Sequence, residues 1–184
     1  MTTDKKLENR LESNLNLTKI SQTDTKFYKL DKTQDWTKTI LLELNEKADS
    51  KSPEEFLAET NINIELEISK KFKNQYGEYL LVKGKLQTNY ITQCIRNLTE
   101  MRDSLSIAFS ICFLNKNCDI DADSTELLEV IENNEVYELY YLEKGHANIA
   151  EMVHEQIYLN INQYPVSDPD SPLLWNKEAS PTKQ

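Results

Sequence analysis

Apolar and polar residues alternate with a period of two in several parts of the chain. The strictest run is Asn61-Ile62-Asn63-Ile64-Glu65-Leu66-Glu67-Ile68, and Leu105-Ser106-Ile107-Ala108-Phe109-Ser110-Ile111-Cys112-Phe113 repeats the pattern. Tyr79-Leu80-Leu81-Val82-Lys83-Gly84-Lys85-Leu86 lies between them, and Glu135-Val136-Tyr137-Glu138-Leu139-Tyr140-Tyr141-Leu142 follows later. A period of two sends every second side chain to one face, so these runs read as strands with one buried face. The expected strands cover about 62–72, 78–91, 103–115 and 135–142, with a further one near 27–30. The first two are joined through Lys73-Asn74-Gln75-Tyr76-Gly77, where Gly77 can take a positive φ. Gly84, inside the second strand, marks a bulge, a bend or a close approach. Gln93-Cys94-Ile95-Arg96-Asn97 breaks the alternation and reads as a polar knuckle between two strands.

Helical spacing occurs in two places. Trp36, Ile40, Leu41 and Leu44 predict a helix over about 34–47 with Asp35 as its cap. Ile149, Met152, Val153, Ile157 and Ile161 form the clearer apolar stripe, preceded by Asn148 at the cap position and Glu151 three residues on. Ser52-Pro53-Glu54-Glu55 has the form of a capping box and predicts a short helix that buries Phe56 and Leu57. The fold expected is α+β: a curved, mostly antiparallel, barrel-like β-sheet with a few packed helices. Residues 1–26, rich in Lys, Glu, Asn and Thr, read as a mobile N-terminal arm. Residues 27–165 read as one domain, and 166–184, with Pro169, Pro172 and Pro181, as an extended tail. Leu173, Leu174 and Trp175 interrupt that tail with an apolar run able to dock.

Charge changes this picture in one respect. The net charge is -10 over 184 residues. Residues 1–61 carry 10 basic and 12 acidic side chains, residues 62–116 carry 8 and 5, and residues 117–184 carry 3 and 14. A basic centre is therefore flanked by an acidic C-terminal third. Repulsion opposes generic binding to a phosphate backbone. Local contact with RNA and a hold on a basic protein both remain open, beside the plainer reading that acidity keeps the chain in solution. No apolar run approaches the length of a membrane span, and no secretory leader is evident, so a cytoplasmic location is expected.

Candidate chemistry is sparse. Cys94, Cys112, Cys118, His146 and His154 show neither CxxC nor short His spacing, so no metal is expected. Asp119, Asp121 and Asp123 alternate as in a calcium loop, but Ser124 stands where such a loop needs Gly. His154-Glu155 opens like a zincin motif, yet position 158 is Tyr158; a solvated surface pair is the simpler reading. With only three glycines and two histidines, neither a phosphate-cradling loop nor a nucleophile elbow is available. No catalytic residue, cofactor or small-molecule substrate is indicated, and the protein is expected not to be an enzyme. Arg96 stands apart, because it occupies the one irregular segment between strongly patterned strands. Its guanidinium suits bidentate contact with phosphate or carboxylate, although the pattern alone favours an ordinary structural arginine. Lys83, Lys85 and Arg102 lie near it in sequence and, with Cys94, complete the candidate binding set.

A strand with an internal Gly, a Cys-x-Arg knuckle and an alternating strand together resemble the YceD family, the large ribosomal RNA subunit accumulation proteins. A second block is similar too: Asn148-Ile149-Ala150-Glu151-Met152-Val153-His154-Glu155-Gln156-Ile157-Tyr158-Leu159, followed by Pro165. The resemblance covers about 62–165 and rests on Gly84, Cys94, Arg96, Glu151, Glu155 and Pro165. The family commonly shows Cys-x-Arg-Cys and often further cysteines after its last prolines. Here Asn97 replaces the second Cys, Asn162 stands where a Pro is common, and no Cys follows Pro165. The resemblance implies a bacterial or organellar, non-enzymatic factor for large-subunit ribosomal RNA accumulation. Its expected partner is precursor ribosomal RNA or a 50S assembly intermediate, with a basic ribosomal protein as the alternative.

Overall fold

A computed structural model describes residues 7–48, 50–74, 77–115, 130–132 and 135–167. The expected acidic loop at 117–123 and the tail from 168 onward lie outside these residues. The elements in chain order are β1 (Leu7–Glu8), β2 (Asn14–Asn16), β3 (Thr25–Asp31), α1 (Asp35–Asn45), β4 (Asn61–Lys73), β5 (Gly77–Gln93), β6 (Glu100–Asn115), β7 (Val130–Glu132), β8 (Glu135–Leu142), β9 (His146–Asn148) and α2 (Ile149–Asn160). Short 3-10 turns cover Leu17–Lys19 and Glu55–Ala58.

Seven strands form one sheet in the order β1-β3-β4-β5-β6-β8-β7, and β2 pairs with β9 in a second, two-stranded sheet. β3, β4, β5 and β6 are consecutive antiparallel neighbours. The α+β class and the mostly antiparallel sheet are as the alternation predicts. The sheet is open, however, with β1 and β7 as its two edges. β8 also joins β6 in parallel, with Ile111 opposite Glu138 and Phe113 opposite Tyr140.

The alternation explains the main core. Ile62, Ile64, Leu66 and Ile68 of β4 are buried on one face, next to Leu80, Val82 and Leu86 of β5 and Phe109, Ile111 and Phe113 of β6. Ile40, Leu41 and Leu44 of α1 and Met152, Val153 and Ile157 of α2 join the same cluster. At one end the opposite face is also covered, where Tyr79, Leu81, Cys112, Leu114 and Tyr137 form a second cluster. Cys112, which alternation alone places in a polar phase, is thereby fully buried.

Gly84 sits between Leu66 and Phe109 across three strands, and the Phe109 ring lies over the glycine where a Cβ would stand. The expected close approach is thus made by a side chain, which covers the bare backbone of the glycine from the next strand. Gly77, at φ +69°, occupies the left-handed region that the turn into β5 requires.

The N-terminal segment departs from expectation. From Leu7 onward it is built into the fold instead of forming a mobile arm; residues 1–6 lie outside the described set. Leu11, Leu15, Leu17 and Ile20 are all in the main core. The Ser13 carbonyl accepts the N–H groups of Ile149 and Ala150 at 2.8 and 3.1 Å. These are first-turn donors of α2 that have no partner within the helix. Trp36 Nε1 donates to the Leu11 carbonyl at 3.0 Å, and Gln34 Oε1 accepts the Leu11 N–H at 3.1 Å. The spacing of Leu7, Leu11, Leu15 and Leu17 hints at a weak helix, but two short strands and a 3-10 turn form instead, because the segment is held by irregular backbone contacts with distant elements.

The caps divide in the same way. Asn148 caps α2 as predicted: its Oδ1 accepts the Glu151 N–H at 3.1 Å, and its Nδ2 donates to the Glu151 carboxylate at 2.7 Å. For α1 the cap is Gln34, which makes no side-chain capping bond, and Asp35 is the first helical residue. Ser52 and Glu55 do bond, with Ser52 N donating to Glu55 Oε1 at 3.2 Å, but the helix that follows is a single 3-10 turn. Phe56 is buried there against Ala48 and Ile91.

Candidate functional site

The knuckle between β5 and β6 is a closed turn built on Cys94. The Cys94 N–H donates to the Thr99 carbonyl at 2.9 Å, and the Leu98 N–H donates to the Cys94 carbonyl at 2.9 Å. Asn97 Oδ1 accepts from the Thr99 N–H at 3.1 Å and from its hydroxyl at 2.7 Å, an Asx turn that closes the loop. Gln93 Nε2 donates to the Leu98 carbonyl at 2.9 Å. Leu98 is held at φ +57°, a region unusual for a branched side chain. Asn97 thus has a local structural task in closing the turn.

The knuckle also receives the segment that leaves α2. The Ile95 N–H donates to the Pro165 carbonyl at 3.0 Å, and the Ser167 N–H reaches Cys94 Sγ at 3.5 Å. Pro165 is buried, and Cys94 is fully buried. The hydrogen bond from Ser167, with further help from the Arg96 and Asn97 N–H groups, holds the Cys94 thiol down to about 7 against the opposing effect of burial. Cys94 and Arg96 therefore belong to one preorganised loop, with Arg96 half-buried within it.

The other candidate residues are placed elsewhere. Lys83 and Lys85 project from the sheet face opposite the helices, where Glu67 and Glu65 are their direct cross-strand neighbours. They line an open groove of about 770 Å³ with Phe27, Lys29 and Ser110. Lys83 is bound to Glu135, and its ammonium lies 5.9 Å from the centre of the Tyr137 ring. That carboxylate bond raises the Lys83 pKa and lowers that of Glu135. Lys29 pairs with Glu65 at 3.5 Å. Arg102 shares this sheet face, but its register partner on β5 is Ile91, six positions beyond Lys85, and it is bound to Glu59. Lys83, Lys85 and Arg102 thus share a face without forming a cluster, and each stands beside a carboxylate. Arg96 lies beyond the end of the strand, in the knuckle.

Glu151 is occupied in the Asn148 cap, and Glu155 is exposed on α2. His154 does not pair with Glu155. It turns to α1, where Nε2 lies 2.8 Å from Glu43 Oε2, and its ring lies 4.5 Å from that of Tyr158. Buried Gln156 donates to Glu138 at 2.6 Å and to the Tyr140 hydroxyl at 3.3 Å, linking α2 to β8. Burial pushes the Tyr140 phenol above its ordinary range. Among the described residues no three His, Cys, Asp or Glu side chains come together as a metal-binding group, and no helix is long and apolar enough to cross a membrane. Ser167 is the site residue that sequence reasoning missed; its only signal was its place two residues after Pro165.

The fold and site together define an α+β protein with an open, mostly antiparallel sheet and a knuckle closed by the C-terminal exit of its last described helix. The chain matches no family model, no curated protein and no solved structure.

Proposed function

We propose that this chain is a cytoplasmic, non-enzymatic ribosome-biogenesis factor that supports large-subunit ribosomal RNA accumulation and 50S assembly, as its resemblance to the YceD family implies. One observation carries the reading. The two blocks on which the resemblance rests meet in space through the Ile95–Pro165 hydrogen bond, and Ser167, just beyond the second block, bonds Cys94 across 73 positions of sequence. A shared pattern whose parts form one structural unit supports the resemblance better than two separate matches do. The knuckle, with Arg96, is then the recognition element. Depletion of the protein, followed by sedimentation of ribosomal subunits and sizing of precursor RNA, tests this: a deficit of 50S particles with accumulating precursor is expected. Unchanged 50S particles and precursor would overturn it.

A second reading has its own observation. Lys29, Lys83 and Arg102 each pair with a carboxylate, which leaves little excess positive potential to attract a phosphate backbone. On this reading the factor acts by holding a basic ribosomal protein or another assembly factor, without touching RNA. Affinity capture across a salt titration separates the two. RNA recovered without a protein partner would reject the second reading, and a basic protein recovered after nuclease treatment would support it.

A further inference from the structure

Strand β6 is paired along most of its length on one side and only at one end on the other. β5 pairs with it from Glu100 to Phe113, whereas β8 joins it from Ile111 to Asn115. Among the described residues, Glu100 to Ser110 therefore has no strand on its second side. Hydrogen bonds near the knuckle show which backbone groups face that side. In an antiparallel pair, successive residues turn their N–H and C=O alternately toward and away from the neighbouring strand. The Cys94 N–H donates to the Thr99 carbonyl at 2.9 Å, across the ladder. The Ile91 N–H donates instead to Asn45 Oδ1 at 2.9 Å, and the Ser104 N–H to Asp103 Oδ1 at 2.8 Å. The odd-numbered residues of β6 thus bond β5, and Arg102, Ser104, Ser106 and Ala108 present their N–H and C=O outward. Edge strands are ordinarily protected by Lys, Pro, a bulge or a covering element. From Ser104 to Ser110 there is no charge and no proline, and the register with β5 runs without a bulge.

We propose that this edge pairs with the same edge of a second copy, antiparallel about a two-fold axis at Ser106, joining the two sheets into one. Three observations select a second copy. The first is fit. The stretch from Arg102 to Ser110, the last residue before β8, is centred on Ser106, so self-pairing there uses all of it. The second is side-chain complementarity. Leu105 and Ile107 are half-buried at the margin of the main core. In this register Leu105 of each copy stands opposite Ile107 of the other, and the two pairs cover one another. On the outer face Ser106 meets itself and Ser104 meets Ala108, all small residues. The third is charge. Although the chain carries -10, no like charges stand opposite one another, because Asp103 faces Phe109 and Arg102 faces Ser110. Centring on Asp103 would set that carboxylate against itself, and centring on Ile107 would run Arg102 into Cys112, which β8 already pairs. The dimer follows from the edge alone and stands whether or not the knuckle acts in ribosome assembly.

Light scattering and sedimentation of the full-length chain over a concentration series test this, with hydrogen exchange alongside. A particle of twice the 21.5 kDa chain mass is expected, with the Ser106 and Ala108 amides protected only in the dimer. Ser106→Pro removes an outward donor and no bond to β5, so it should give a monomer with unchanged circular dichroism. Should that variant fail to fold, a charge exchange at the same exposed position decides the matter. Ser106→Lys and Ser106→Glu should each weaken the dimer several-fold, since like charges then stand directly opposite, and mixing the two should restore it. A monomer at every concentration would overturn the proposal. So would a dimer that ignores the substitutions at Ser106, which would place the interface elsewhere, or protection of Ser106 and Ala108 in the monomer, which would mean that the chain covers its own edge.

Discussion

The ring of Phe109 on β6 lies on Gly84 of β5, directly across the strand pair, in the space where any other residue would place its Cβ. The glycine and the aromatic are one packing unit at the centre of the sheet. Gly84→Ala should therefore destabilise the protein by about 1–3 kcal/mol through overpacking, and Phe109→Ala by about 3 kcal/mol through the cavity it leaves. Urea unfolding of both singles and the double variant should show strong non-additivity, because removing the ring makes room for the methyl group. Additive losses would mean that the two residues do not pack as a unit.

The cap of α2 makes a separate prediction. Asn148→Ala removes the acceptor of the Glu151 N–H and should cost about 1 kcal/mol. Asn148→Ser should recover most of the loss, since a hydroxyl can accept the same bond. Equal losses in the two variants, read by thermal unfolding, would assign the effect to something other than capping.

Residues 7–24 are expected to be required for folding. They contribute Leu11, Leu15, Leu17 and Ile20 to the core and the Ser13 carbonyl to the start of α2. A chain beginning at Thr25 should lose its cooperative unfolding transition, whereas removal of residues 1–6 takes away none of the contacts described. Retention of full stability by the longer truncation would overturn this placement of the segment.

The His154–Glu43 contact joins α2 to α1, but its side chains are 41% and 37% exposed. Solvent screens such a pair, so a double-mutant cycle with His154→Ala and Glu43→Ala should give a coupling below about 1 kcal/mol. A larger value would show that the contact organises the helix pair.

Cys94 has a pH signature with a definite sign. Its pKa is held down to about 7, below the ordinary thiol value of 9.0, by the Ser167 hydrogen bond. Between these values the unfolded chain binds the proton that the folded chain has released. The contribution of Cys94 to stability is then full above about pH 9 and is lost as pH falls through about 7. Relative to Cys94→Ser, the native chain should gain stability from pH 7 to 9 in denaturant titrations. A constant difference over that range would show that no thiolate forms in the fold.

Much of the sheet was legible because alternation is a local property. Ile62, Ile64, Leu66 and Ile68 announce their buried face within a few residues, and β8 occupies the stretch that its pattern predicts. The cap at Asn148 is equally local, since it needs only an acceptor side chain and a donor three residues on. The candidate site was legible in part. The knuckle was visible as a break in the alternation, but the dispersal of Lys83, Lys85, Arg96 and Arg102 was not, because nearness in sequence along a strand becomes distance in space at about 3.3 Å per residue.

The sequence by itself determined where β4, β5, β6, β8 and the last helix form, which side of β4 is buried, and that Gly84 marks a bulge, a bend or a close approach. The tertiary structure alone decided that β8 lies parallel to β6, that Leu11 and Leu15 enter the core, that Cys112 is buried on the second face, and that Ser167 reaches the sulfur of Cys94. The physical reason is range. Periodicity records the environment of a residue relative to its own backbone. These four relations depend on which distant surfaces meet, and their hydrogen bonds and apolar contacts leave no regular spacing in the chain.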